Sequence, residues 1–207
     1  MLNKPSKLQT TIDFEKDGKQ TGYLRLPHSV HRSAYGWLPI PIACIKNGSG
    51  VTALLISGTH GDEYEGQVAL SKLINQLKPE EIQGRVIIVP MANYPAAKAG
   101  LRTSPIDEQN LNRIYPGDPD GTPSFMIADY IESQLFSIAD YGLDLHSGGS
   151  SLHYVPSAVS SIGEDKDRIL KMKELMQAFG APYSFFFPSG HAGGTTNHAA
   201  SRNDVVL

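Results

Sequence analysis

Two histidines and a glutamate are the residues in this chain whose types and spacing could do chemistry. His60 and Glu63 lie three apart in Gly58-Thr59-His60-Gly61-Asp62-Glu63, close enough for an imidazole and a carboxylate to grip one ion, and His146 is available to complete the set. Three nitrogen and oxygen ligands that leave a fourth position for water form the pattern of a catalytic zinc rather than a structural one. Water on such an ion loses a proton near neutral pH, so the implied chemistry is metal-assisted hydrolysis. The donor set admits cobalt, manganese or iron as well as Zn2+. A His-x-x-Glu pair alone arises often by chance, so the case rests on what surrounds it.

The surroundings are strands that stop at glycine-bearing loops. Residues 51–56 form a compact apolar run of strand length that ends just before His60, and residues 141–145 form another that ends at His146. Between them, Val68, Leu70, Leu73, Ile74 and Leu77 recur at helical spacing over residues 66–77, and residues 85–89 are a second β-branched run. Residues 51–89 thus read as one βαβ unit with a right-handed crossover. In such units ligands bind outside the carboxyl ends of the strands, which brings both histidines to one sheet edge. Asp144, two residues before His146, falls on the same face of its strand and could hold the ring nitrogen that the metal does not use, or simply cap a loop.

Elsewhere the pattern predicts helices over residues 124–136 and 165–179, an aromatic strand at 183–187 and a short loop-strand at 151–155. Residues 93–123 are dense in Pro, Gly, Asn and Asp without periodicity, as functional loops often are. Residues 1–50 read as lead-in strands of the same domain, whose main part is 51–207. The expected fold is α/β, with a mixed, mostly parallel central sheet flanked by helices.

Composition narrows the partners. Eighteen Lys and Arg against 21 Asp and Glu give a formal charge of -3, which favours neither nucleic acid nor an anionic membrane. A small substrate is expected. No apolar run approaches the roughly 20 residues that span a bilayer, and no secretory leader is recognisable, so a cytoplasmic location is expected. The one cysteine, Cys44, cannot form an internal disulfide and reads as a buried strand thiol. A homo-oligomer stays open. A nucleotide-binding α/β domain is disfavoured because the loop at Gly58 has neither a Gly-x-Gly-x-x-Gly nor a Walker pattern.

Three segments together resemble the succinylglutamate desuccinylase/aspartoacylase family, relatives of the zinc carboxypeptidases: residues 58–63 with Gly66, Asn110-Leu111-Asn112-Arg113-Ile114-Tyr115-Pro116-Gly117, and Asp144-Leu145-His146-Ser147-Gly148. Within the family, Pro90-Met91-Ala92-Asn93-Tyr94-Pro95 and Gly100-Leu101-Arg102-Thr103-Ser104-Pro105 are most similar to the branch that deacetylates N-acetyl-2,4-diaminobutyrate in ectoine breakdown. The resemblance implies one Zn2+ per chain on His60, Glu63 and His146, and a carboxylate-bearing N-acyl amino acid as substrate. It implies that Asn112 and Arg113 bind the substrate carboxylate, a task suited to a planar guanidinium. It also implies that Arg102 polarises the scissile carbonyl. Succinylglutamate desuccinylation or aspartoacylase-like activity is the alternative within the family.

The family's general base is a glutamate on a late strand, and residues 205–207 resemble the start of that strand, so the base is expected beyond Leu207, together with the rest of the family fold. Glu164 and Glu174 fall in a charged helical segment and read as solvated. A metal-binding domain without turnover is therefore the competing reading. His153 reads as a polar rim residue, His191 and His198 as loop residues near Gly193-Gly194, Tyr94 and Tyr115 as pocket wall or core, and Glu65 as exposed.

Overall fold

The computed structural model describes residues 5–31, 35–162, 165–188 and 193–207. Its centre is a six-stranded mixed sheet in the order β1-β2-β3-β5-β4-β6, formed by β1 (Gln9–Thr10), β2 (Gly18–Pro27), β3 (Trp37–Asn47), β4 (Thr52–Ser57), β5 (Gly84–Val89) and β6 (Tyr141–Leu145). The N-terminal strands pair antiparallel up to β5, whereas β4 runs parallel to both β5 and β6. The sheet is mixed as expected but not mostly parallel: three of its five pairings are antiparallel, because the N-terminal strands join it as an antiparallel run, and its parallel part lies where both histidines leave it.

Alternation along the central strands explains why the sheet is covered on both sides. Ile40, Ile42 and Cys44 of β3, Leu54 and Ile56 of β4 and Ile87 and Val89 of β5 enter one core cluster. Ala43 and Ile45, Leu55, and Ile88 enter the other. Successive side chains point to opposite faces, so a strand buried on both must be apolar throughout. The helix α1 (Tyr64–Gln76) supplies Leu70, Leu73 and Ile74 to the second cluster. The first is filled by α3 (Pro123–Tyr130) and its continuation, with Ile127, Ile131, Leu135 and Phe136. Cys44 is fully buried, and burial pushes its thiol up to about 11.

Several boundaries differ from those expected. The helix expected over 124–136 is regular only through Tyr130, widens into a π-turn at Ile131–Leu135 and closes with a 3-10 turn at Phe136–Ile138. The strand expected at 151–155 lies instead at β7 (Ser157–Ile162). Pro156 has no N–H to give a ladder, so pairing starts after it. This strand pairs parallel with β8 (Tyr183–Pro188), and α4 (Lys166–Phe179) connects the two. Two short helices carried no periodic signal: α2 (Tyr94–Ala99) inside the aperiodic stretch, and α5 (Thr196–Arg202). Val206 forms a parallel bridge with Tyr141, and Ser160 of β7 donates its hydroxyl to the Leu207 carbonyl at 2.7 Å. Residues 206 and 207 thus lie along the outer edge of β6 and touch β7. Among the described residues no helix is long and apolar enough to cross a membrane.

Phe136 is fully buried at the end of the widened helix, against the strands that carry the site. Phe136→Ala is expected to lower the unfolding free energy by about 3–5 kcal/mol, from lost burial and the cavity left behind. Urea titration followed by circular dichroism measures it.

Candidate metal centre

The register of the sheet assembles the site. In the parallel pairing of β4 with β6, Ser57 lies opposite Leu145, so both strands end side by side at one edge. His60 follows β4 by three residues and His146 follows β6 by one. Glu63 sits at the N-cap of α1, where the Glu63 amide closes a tight turn onto the His60 carbonyl at 3.4 Å. The helix dipole favours a carboxylate there. Gly61 lets this turn lie against α2, since a Cβ at that position would meet the Ala96 carbonyl carbon at 2.0 Å. The buried Gln67 amide donates to the carbonyls of Gly61 and Glu63 at 3.0 and 3.1 Å and fixes the turn from behind.

The three residues named from the sequence converge. Ligand atoms of His60, Glu63 and His146 all lie within 4.8 Å of one another. The Nδ1 of His60 is 2.7 Å from one Glu63 oxygen, and the Nδ1 of His146 is 2.8 Å from the other. His60 and Glu63 are 3% and 4% exposed, whereas the His146 side chain is 31% exposed, so the cluster opens to solvent on its His146 side.

Each imidazole is held from behind by an acceptor. The Nε2 of His60 lies 3.1 Å from the Asn110 amide oxygen, and the Nε2 of His146 lies 3.1 Å from an Asp144 carboxylate oxygen. An acceptor at Nε2 requires N–H there, which turns the Nδ1 lone pair inward. Two such lone pairs against a carboxylate repel unless a cation stands between them. The donor set therefore fits a divalent metal ion with His60, Glu63 and His146 as its ligands, and protons take that role otherwise.

The electrostatics follow from this packing. The Asp144 carboxylate, with help from Glu63, raises His146 against the opposing effect of burial to about 10. Burial pushes Glu63 up, but its hydrogen bonds to His146 and His60 outweigh that and hold it well below the usual carboxylate range. Asp144, whose side chain is 4% exposed, is held low in the same way against its own burial by His146, Thr196 and Thr59.

Arg102 also reaches the cluster: its guanidinium lies 3.3 Å from the Glu63 oxygen that also meets His60, with the side chain half exposed. Asn112 and Arg113 form a 3-10 turn at Leu111–Arg113, capped by Asn110, whose amide oxygen accepts from the Asn112 N–H at 3.0 Å. The Asn112 amide oxygen accepts from the Thr196 N–H, which leaves its NH2 as the group it can offer. Arg113 is exposed and bonds the carbonyl of its neighbour Asn112 at 2.6 Å. Through Asn110, the turn bearing these two residues is joined to His60.

Other candidates lie apart or play other parts. His153 is exposed and outside the cluster, and His198 faces Thr195 on α5 at 2.6 Å. Tyr115 is buried in the core, Tyr94 packs against it, and Glu65 is exposed. Glu174 is exposed on α4, while Glu164 and His191 lie outside the described residues. The residues sequence reasoning missed are Asn110, Thr59, Thr196 and Gln67. Asn110 carried a signal, an asparagine two before Asn112 at a turn start, but its bond to His60 spans fifty residues.

The succinylglutamate desuccinylase/aspartoacylase catalytic domain matches residues 49–205. The chain is 52% identical over 181 residues to the N-alpha-acetyl-L-2,4-diaminobutyric acid deacetylase of Halomonas elongata, an alignment covering 87% of this chain and 53% of that protein. It superposes on a succinylglutamate desuccinylase from Silicibacter sp. TM1040 with a TM-score of 0.94 at 46% identity, covering 99% of this chain and 62% of that one. The product-bound ectoine utilization protein EutE (DoeB) of Ruegeria pomeroyi gives a TM-score of 0.93 at 46% identity, with the same coverage. The chain thus spans about half the length of the curated relative and under two thirds of these structures. Since the matched span contains both histidine-bearing strand ends and the turn between them, the chain belongs to the succinylglutamate desuccinylase/aspartoacylase catalytic-domain family.

Proposed function

We propose that this chain forms the metal-binding part of a zinc amidohydrolase that removes the acetyl group from N-acetyl-2,4-diaminobutyrate in the cytoplasm. The observation that carries the reading is the convergence of His60, Glu63 and His146, with each imidazole's outer nitrogen taken by an acceptor. The choice of substrate rests on the 52% identity to the Halomonas deacetylase.

In this reading His60, Glu63 and His146 would hold the Zn2+, which would supply Lewis-acid chemistry for the hydrolysis. The chain's own residues do the rest. Asn110 and Asp144 keep the two imidazoles in the tautomer that points Nδ1 inward. Arg102, beside Glu63 and half exposed, donates to the carbonyl oxygen as negative charge grows there. The Asn112 NH2 and the Arg113 guanidinium hold the substrate carboxylate, which fixes the acetyl group relative to the cluster.

A second reading, metal binding without turnover, has one observation in its favour. The two carboxylates at the cluster are both engaged: Glu63 by the imidazoles, and Asp144 by His146 and two hydroxyls. Neither is available to take a proton from water.

Elemental analysis of the purified chain is expected to give about one zinc per chain, abolished by His60→Ala. Acetate release from N-acetyl-2,4-diaminobutyrate then separates the readings: turnover supports the first, zinc with no turnover the second, and a folded parent without metal sinks both. Arg113→Lys is expected to weaken substrate binding about tenfold or more by losing a bidentate contact, measured by calorimetry. His146 is raised in the metal-free fold to about 10, so its contribution to stability is whole below the unfolded value of 6.5 and is lost as pH rises through about 10. The melting temperature of metal-free protein should fall across that interval, and that of an Asp144→Asn variant should fall less.

A further inference from the structure

We propose that Thr196 is a positioning residue that ties the metal histidine His146 to the turn bearing Asn112, so that one residue at the start of α5 sets both, the first through its hydroxyl and the second through its backbone N–H. The inference rests on the metal-site reading above and extends it to a residue outside the cluster.

Thr196 is 3% exposed and has two polar groups to spend. Its N–H donates to the Asn112 amide oxygen at 2.9 Å. Its hydroxyl lies 2.7 Å from the Asp144 oxygen that holds His146, and 3.1 Å from the same Asn112 oxygen. A hydroxyl has one proton. The shorter contact and the anionic acceptor assign it to Asp144, because charge-assisted hydrogen bonds are shorter and about twice as strong as neutral ones. The Asn112 oxygen is then served by the backbone N–H, and the two duties separate cleanly between backbone and side chain.

Asp144 needs that proton. Its side chain is 4% exposed, and its other oxygen accepts from the Thr59 hydroxyl at 3.0 Å. With Thr59 on one oxygen and Thr196 on the other, the carboxylate plane is fixed, and so is the direction in which it holds the His146 ring. Without the Thr196 hydroxyl, that buried carboxylate oxygen keeps only the imidazole it is meant to orient, and Thr59 alone holds the carboxylate from the protein side.

The position of Thr196 is itself set from three sides. Gly194 packs on the 111–113 turn so closely that a Cβ there would meet the Arg113 carbonyl oxygen at 2.2 Å. The Tyr115 N–H donates to the Gly194 carbonyl at 3.2 Å. From the other side Arg202 makes a bidentate pair with Glu132 at 2.7 and 2.8 Å and donates to the Gly193 carbonyl at 2.8 Å. A turn held this firmly can orient a side chain rather than follow it.

The test uses the chain as it is, with Zn2+ and Co2+ as probes and competition with a chromophoric chelator as the readout. Thr196→Val keeps the backbone N–H on Asn112 and the shape of the side chain but has no proton for Asp144. It is expected to weaken Zn2+ binding about tenfold, the lower end of the cost of losing an outer partner of a metal histidine. It should also shift the visible absorption of bound Co2+, which reports ligand orientation. Thr196→Ser restores the proton and is expected to restore both readouts, which a role in packing alone would not allow. If Thr196→Val fails to fold, Thr196→Ala removes the same proton from a smaller side chain and replaces it. Unchanged Zn2+ affinity and Co2+ spectrum in the hydroxyl-free variant would overturn the inference, as would a Ser variant as weak as Val. A parent chain that binds no Zn2+ would overturn the metal reading itself, an outcome seen before any variant is measured.

Discussion

The rest of the structure depends on one constraint, the carboxylate of Glu63 buried between two imidazoles. At 4% exposure that charge has almost no water, and leaving a buried carboxylate unpaired costs far more than a domain's margin of stability. Every lone pair of Glu63 is therefore answered: His60 and Arg102 on one oxygen, His146 and the Ser147 amide on the other. The arrangement tolerates the burial only while a cation, a proton or a metal, stands among the three groups. A folded core that keeps such a demand at its edge has been shaped around that cation.

Sheet register is what makes this possible without strain in the ligands. Side chains on a strand alternate, so a slip of one residue between β4 and β6 would send each side chain to the opposite face, into a core packed for its neighbours, and part the two strand ends. Leu54 and Ile56, fully buried among the first core cluster, resist that slip. The cost of misplacing His146 relative to His60 is thus charged to the hydrophobic core, not to the site. The helix α1 adds the third member of the cluster through its own start, because the turn that begins the helix brings Glu63 back onto His60.

How much of this was legible in the sequence depended on distance along the chain. His60, Glu63 and His146 could be read because each sits at the end of a periodic element, and strand ends converge by topology. The strands at 52–57, 84–89 and 141–145 were found nearly to the residue for the same reason, as continuous apolar runs between turn formers. The two short helices were invisible. Six residues, Tyr-Pro-Ala-Ala-Lys-Ala, are too few to display a period, and α5 carries alanines and polar residues in place of a stripe. Asn110 and Thr196 were missed for a different reason: an asparagine or a threonine near a turn is ordinary, and only the folded chain brings them to His60 and Asp144. Asp144 could be suspected, two residues before His146 on one strand. The partners that complete it, Thr59 and Thr196, lie 85 and 52 residues away.

The outer partners also explain why the His60-Glu63-His146 cluster and the turn of Asn112 and Arg113 need not be separate inventions. Asn110 accepts from His60 with the same amide oxygen that caps the turn of Asn112. Asp144 accepts from His146 and, through Thr196, is linked to the Asn112 side chain. Both histidines are thus braced by groups that also brace one short turn. A substrate carboxylate held at that turn would be registered against the cluster through two or three hydrogen bonds, not through a flexible loop. Because effective molarity falls steeply when reacting groups are misplaced by an ångström, a shared brace of this kind would serve the proposed hydrolysis better than a tighter grip at either end alone.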